Sequence, residues 1–284
     1  MPLTQPIRRI AVLSSLAMLS LVAIDTQPVV AAPTWAPAAT AAVHPGVQTL
    51  TDGAQCTANF VFFDGTATYI GQAAHCSGLG ASTDTNGCST ASLPLGTQVE
   101  VDGADHPGTI AYSSWIAMQQ AGETNLDACS YNDLALVKLD PRDVAKVNPS
   151  VPHWGGPVGL NTNGTTNGET VYSYGNSSLR QGITLLSPKR GTSEGTEGNG
   201  WTHVVTTVTP GIPGDSGSAF LDSKGHALGV LSTLGVGLPG GVVNNVSDLA
   251  HELDYLRSHT TGAVTAVQLE NGTEAFTPGL PIRR

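Results

Sequence analysis

From about residue 46 onward the chain alternates apolar and polar positions with period two, broken at short intervals by glycine, asparagine and aspartate. "TANFVFF" and "TATYIG" flank an Asp-Gly pair that reads as a hairpin turn. "TQVEVDG", "GTIAYSSW", "LALVKL", "GETVYSYG", "HVVTTV", "SAFLDS" and "HALGVLSTL" follow as further strands. Turn signals recur about every ten residues, the spacing of an all-β sandwich or barrel. One stretch has a helical period instead. "NVSDLAHELDYLRSH" puts Val246, Leu249, Leu253 and Leu256 on one face, with Asn245 or Ser247 as its cap. The pattern predicts an all-β protein with a single C-terminal helix.

The ends follow different rules. Arg8 and Arg9 precede the apolar run "IAVLSSLAMLSLVAI", and small residues suited to cleavage near Ala31 or Ala32 come after it. A run of about fifteen residues falls short of the roughly twenty that cross a bilayer. Residues 1–31 are therefore expected to be a secretory signal peptide, which makes the mature protein soluble, extracellular and free of the membrane. Residues 32–45, rich in Ala and Pro without periodicity, read as a linker or short pro-segment. Residues 46–145 form a first β unit and 146–260 a second that carries the helix, divided near the proline-rich "DPRDVAKVNPSVPHWGGP"; 261–284 form a polar tail.

Charge sharpens this division. Between Arg9 and Lys138 there is no Lys or Arg, while nine acidic residues lie from Asp52 to Asp133. With a net charge of -10, nucleic acid is excluded as a natural partner. The four cysteines, Cys56, Cys76, Cys88 and Cys129, contain no C-x-x-C pair, so neither a metal site nor a cofactor is expected. In an exported chain they read as two structural bridges, with three pairings open.

Chemistry concentrates in "TPGIPGDSGSAF". A serine hydroxyl is a poor nucleophile unless a base takes its proton and donors stabilise the oxyanion it creates. Gly214 frees the backbone so that N–H groups can turn inward around Ser216, and Asp215 can hold that turn. Alone, "GDSG" is as readily an ordinary β-turn. A base is supplied by His75 in "GQAAHC", held still beside Cys76. A carboxylate to orient it is supplied by Asp133 in "NDLALVKL", which opens a strand apolar on both faces.

"AAHC", "DLALV" and "GDSGS", in that order, resemble the motifs of the chymotrypsin-like (trypsin-like) serine proteases, in a style similar to bacterial secreted members. The resemblance implies two six-stranded antiparallel β-barrels packed together with a C-terminal helix. It implies a secreted serine endopeptidase, a hydrolase that cleaves protein or peptide substrates through an acyl-enzyme and acts as a monomer. Ser216 would be the nucleophile, His75 the base and then the acid, Asp133 its orienter, and the N–H groups of Gly214 and Ser216 the oxyanion hole. It also implies a Cys56–Cys76 bridge, leaving Cys88 with Cys129.

Two features depart from digestive members of that family. The chain has no terminus of the Ile-Val-Gly-Gly kind whose new amine would pair with Asp215, so an internal cation is expected there, from Arg180, Lys189 or Arg190. The substrate pocket implied by the resemblance has Thr209 and Pro210 at its floor and Ser232, Thr233, Leu234, Gly235 and Gly237 in its wall, without an acid. A neutral or apolar P1 residue follows. Two alternative functions remain compatible with the sequence: a non-catalytic binding module on a protease-like fold, and an esterase using the same three residues. Two weaker motifs fail. "GVGLPG" fits a dinucleotide loop only in spacing, since Pro239 interrupts it and no helix follows at once, and "HELDYLRSH" has Tyr255 where a zinc helix needs histidine.

Overall fold

The structure, a computed structural model, describes Met1 and residues 33–81, 83–236 and 242–281. Residues 2–31 of the expected signal peptide lie outside the described residues. No helix among those described is long and apolar enough to cross a membrane.

Strands β1 (Gln48–Thr51), β2 (Ala54–Thr57), β3 (Val61–Phe63), β4 (Thr68–Ala73), β5 (Gln98–Val101), β6 (Gly108–Ser113) and β7 (Leu134–Lys138) belong to the first unit. Strands β8 (Thr170–Tyr174), β9 (Pro188–Glu197), β10 (Thr202–Val208), β11 (Ala219–Leu221), β12 (Ala227–Val236) and β13 (Val242–Asp248) belong to the second, and β14 (Gln268–Leu269) lies in the tail. Helices α1 (Ser114–Ala121) and α2 (Leu126–Tyr131) separate β6 from β7, and α3 (Leu249–His259) follows β13.

The second unit is a closed six-stranded antiparallel barrel in the order β10-β13-β12-β11-β8-β9. The first is an eight-stranded sheet ordered β14-β3-β4-β7-β6-β5-β1-β2, where six strands closed into a barrel were expected. The all-β double-barrel class holds, with helix α3 at its C-terminal side. One of the two additional strands is tail strand β14, which pairs Gln268 with Phe63 and Leu269 with Phe62, covering the backbone edge that β3 would otherwise expose.

Each unit has its own apolar filling. Val47, Val61, Ile70, Val99, Ile110 and Val137 line the first, and Val171, Val205, Phe220, Leu228, Leu231 and Val246 the second. A third cluster joins them, with Phe60, Phe62, Tyr112, Trp115 and Leu134 from the first unit meeting Trp154, Tyr172, Leu249, Leu253 and Leu256. At about 25 cal/mol per Å² of apolar area removed from water, these large side chains make the junction a core rather than a loose contact.

Residues read as a linker take part in packing. Val43 is fully buried, its N–H donates to the Lys146 carbonyl at 3.1 Å, and Ala36 N–H donates to Val147 at 2.9 Å. The tail does the same beyond β14. Gly272 N–H donates to Pro157 (2.8 Å), Thr277 N–H to Trp154 (2.7 Å), and Glu274 accepts from Gly156 N–H (2.9 Å), while Phe276 stacks edge-on against Tyr172.

Candidate active site

His75 lies in a 3-10 turn, Ala74–Ser77, entered directly from β4. Cys76 bridges to Cys56 at the end of β2, and Cys88 bridges to Cys129 in α2, four residues before Asp133. Each crosslink contributes about 2–4 kcal/mol by restricting the unfolded chain. Each also pins the segment that carries one of the two polar side chains below.

Asp133 and His75 meet closely. Asp133 Oδ2 accepts from His75 Nδ1 at 2.6 Å, and Oδ1 accepts the His75 backbone N–H at 2.8 Å. The Asp133 carbonyl in turn accepts the Ala74 N–H at 2.7 Å. A carboxylate only accepts, so Nδ1 carries the proton and Nε2 of the neutral ring is left as a base. Burial disfavours the imidazolium. The Asp133 charge and hydrogen bond more than offset this, holding the His75 pKa above the ordinary histidine value.

Ser216 sits half-buried in the turn between β10 and β11. Its carbonyl accepts the Thr57 N–H at 2.8 Å, next to Cys56. At Gly217, φ is +88°, and an added Cβ would lie 2.5 Å from the Thr57 carbonyl and 2.9 Å from the Ala73 nitrogen. The serine turn is thus seated against the ends of β2 and β4, and Ala73 is two residues before His75. His75 ring hydrogen bonds run to Asp133, and the Ser216 hydroxyl makes none among the described residues.

The backbone of this turn is sorted. Asp215 N–H donates to Ile212, Gly217 N–H to Leu231 and Ser218 N–H to Asp215, at 2.9, 2.7 and 3.0 Å. The Gly214 carbonyl is held by Thr57 Oγ1 (2.7 Å) and Gln55 Nε2 (3.0 Å), and the Pro213 carbonyl by Ser177 Oγ (2.5 Å). Among the described residues, the N–H groups of Gly214 and Ser216 have no protein acceptor. Gly214 has φ +93°, a conformation that glycine adopts without strain.

Asp215 is fully buried, and Arg180 Nη2 and Lys189 Nζ reach its Oδ2 at 2.6 and 3.0 Å. Two of the three expected cations therefore converge on it. Arg190 is the exposed neighbour on β9, where alternation turns it outward. Burial and the nearby Arg180 hold the Lys189 pKa below the ordinary lysine value, against the pull of Asp215. The same cations reach the residues expected at the pocket floor: Pro210 carbonyl accepts from Arg180 at 3.2 Å and from Lys189 at 3.3 Å, and Thr209 carbonyl from Lys189 at 3.5 Å.

Ser232, expected in the pocket wall, is buried, and its hydroxyl donates to Asp133 Oδ2 at 2.6 Å. Thr233 Oγ1 accepts from Asn245 Nδ2 at 2.9 Å. Leu234 is partly exposed, and a Cβ placed on Gly211 would meet its Cδ2 at 2.9 Å and Leu231 Cδ2 at 3.3 Å. Gly235 faces Val243, and Gly237 lies outside the described residues. Glu252 was not foreseen: its Oε1 accepts the Asp133 backbone N–H at 2.9 Å from the buried face of α3. Its signal in the sequence is an acidic residue inside the apolar stripe Leu249, Leu253, Leu256.

Cys56, His75 and Cys76 offer ligand atoms close together. Both sulfurs are in the Cys56–Cys76 bridge, which leaves no thiolate to bind a metal.

Comparison with known proteins agrees with this architecture. No curated protein matches the chain. Protease A of Thermobifida fusca superposes with a TM-score of 0.51 at 18% identity, covering 81% of this chain and 99% of that one. Nocardiopsis protease (0.48, 17%, 80% and 98%) and Cellulomonas bogoriensis chymotrypsin (0.47, 19%, 75% and 94%) are also similar. The family model for the trypsin-like peptidase domain matches residues 56–230, a span that holds His75, Asp133 and Ser216. The chain belongs to the trypsin-like peptidase family and, as a member, is a serine-type endopeptidase.

Proposed function

We propose that the protein hydrolyses peptide bonds with Ser216 as nucleophile, His75 as general base and then general acid, and Asp133 as the group that orients His75. The observation that carries this reading is the double grip of the Asp133 carboxylate on the ring and backbone of His75, which leaves Nε2 as the basic atom. Ser216 Oγ gives its proton to Nε2 as it attacks the carbonyl carbon. The proton then passes to the leaving amine, and water repeats the sequence on the acyl-enzyme. The N–H groups of Gly214 and Ser216, without internal acceptors among the described residues, are the donors for the oxyanion. The hydrogen bond from Ser216 to His75 forms with substrate, since such bonds are commonly long before it binds.

The pocket favours a neutral or apolar P1 side chain. Leu231 and Leu234 lie close to Gly211, and the floor carbonyls of Thr209 and Pro210 are occupied by Lys189 and Arg180. Two disulfides and no free cysteine among the described residues suit an oxidising, extracellular setting.

Labelling of the protein by a fluorophosphonate at neutral pH, lost in Ser216→Ala, is the expected result. An unlabelled wild type would favour the binding module. Cleavage of a peptide library with product sequencing reports the substrate class: hydrolysis of esters alone would make the protein an esterase, and cleavage mainly after Arg or Lys would overturn the pocket assignment.

A further inference from the structure

The first unit presents Asp133 between two held peptides. On one side the Asn132 carbonyl accepts from Ser114 Oγ of α1 at 2.8 Å, and the N–H of the same peptide donates to Glu252 Oε1 of α3 at 2.9 Å. On the other side the Asp133 carbonyl accepts from Ala74, beside His75. Of these three, Glu252 alone comes from the part of the chain that follows the second barrel. Together with Ser232, it ties the position of Asp133 to that unit.

Glu252 has the surroundings of an uncharged acid. It is fully buried on the apolar face of α3 among Leu249, Leu253 and Leu256, and no cation pairs with it among the described residues. The groups that face it are Asp133 before β7, Asp248 at the start of α3, and Tyr112 of β6. Asp248 is itself held by His203 and His251, at 3.0 and 2.9 Å. An ionised carboxylate buried beside two others would be strongly disfavoured, and burial pushes the Glu252 pKa well above the ordinary value. Its Oε2 and the Tyr112 hydroxyl are both buried without a hydrogen-bond partner among the described residues, so the surroundings offer the carboxyl group nothing that would stabilise a charge.

We propose that Glu252 is a positioning residue for the reaction: a neutral carboxylic acid that fixes the Asp133 main chain, and through it the angle at which the Asp133 carboxylate meets His75. This rests on the assignment of His75, Asp133 and Ser216 made above. A neutral acid suits the place. Its carbonyl oxygen accepts the Asp133 N–H, while the absence of charge adds no third negative group beside Asp133 and Asp248.

The test uses the full protein with Glu252→Gln and Glu252→Leu, with kcat and KM measured against pH and normalised to sites titrated by fluorophosphonate. Normalisation removes any loss caused by misfolding. A glutamine side chain keeps both the acceptor oxygen and the neutrality, so E252Q is expected to retain kcat within about twofold and to keep the acid limb of kcat/KM unmoved. E252L leaves the Asp133 N–H without an acceptor, and kcat per titrated site is expected to fall about tenfold or more with KM little changed. A shift of the E252Q acid limb to lower pH by about half a unit would show that Glu252 carries a charge that raises the His75 pKa, and would overturn the proposal. Wild-type kcat in E252L would overturn it as well, and if E252L does not fold, the E252Q profile decides. A wild type that neither labels nor cleaves overturns the underlying assignment instead, before any Glu252 variant is measured.

Discussion

His75 shows how much one neighbour can set. Its side chain is only 25% exposed, and burial alone would lower its pKa, yet the charge of Asp133 and its hydrogen bond to the ring reverse the sign. A base must be neutral to accept a proton, and a raised pKa carries the protonated form to higher pH. Activity is therefore expected to fall as pH drops through a value above 6.5, the ordinary histidine value. The acid limb of kcat/KM measures it, and a midpoint below 6.5 would contradict the reading. Asp133→Asn should remove the shift and lower kcat by on the order of 10⁴, because an amide can hold the ring in the wrong tautomer. At this scale the sequence was informative where a residue's chemistry is announced by its flanks: a histidine beside a bridged cysteine, an aspartate opening an apolar strand, a serine among glycines. It was silent on Ser232 and Glu252, whose roles depend on contacts 99 and 119 residues away in sequence.

Among the elements, those with alternating apolar residues were legible and the others were not. Strand β9, "PKRGTSEGTE", turns Lys189, Gly191 and Ser193 inward, so its buried face has no hydrophobic signal to read. Strand β13 ends in "NVSD", which has helical spacing when joined to the leucines that follow. The helix starts only at Leu249, capped by Asp248, whose side chain accepts the His251 N–H at 2.9 Å. "SWIAMQQA", read in part as the end of a strand, is helix α1, closed by Gly122 at φ +65°. The inward Lys189 of β9 ties that strand to the Ser216 turn, because with Arg180 it holds Asp215. Either cation still leaves Asp215 a counter-charge, whereas removing both buries a carboxylate with only backbone donors, from Ser177 and Ile212, at about 3–5 kcal/mol. Arg180→Met and Lys189→Met are each expected to keep fluorophosphonate labelling, and the double variant to lose it, with Arg190→Gln unchanged as the control. Full labelling of a folded double variant would show that Asp215 needs neither.

For the whole molecule, the third apolar cluster and the tail join the two units. Strand β14 lies on the first sheet, and a few residues later Gly272, Glu274 and Thr277 bond to the 154–157 segment, with Phe276 against Tyr172. Ending the chain at Thr260 removes these bonds and re-exposes Phe276's contact surface, a loss of about 3 kcal/mol or more. The melting temperature of the truncated protein is expected to fall by at least about 6 °C, and calorimetry on both forms measures it. An unchanged value would make the tail a passenger. The tail also imposes an order in time. Ribosomes make a chain from its N-terminus, so β3 waits for a partner more than two hundred residues downstream, and His75, Asp133 and Ser216 all emerge before the segment that completes the sheet. The edge of the first sheet is therefore the last part of it to be closed, after the residues of the site have already been made.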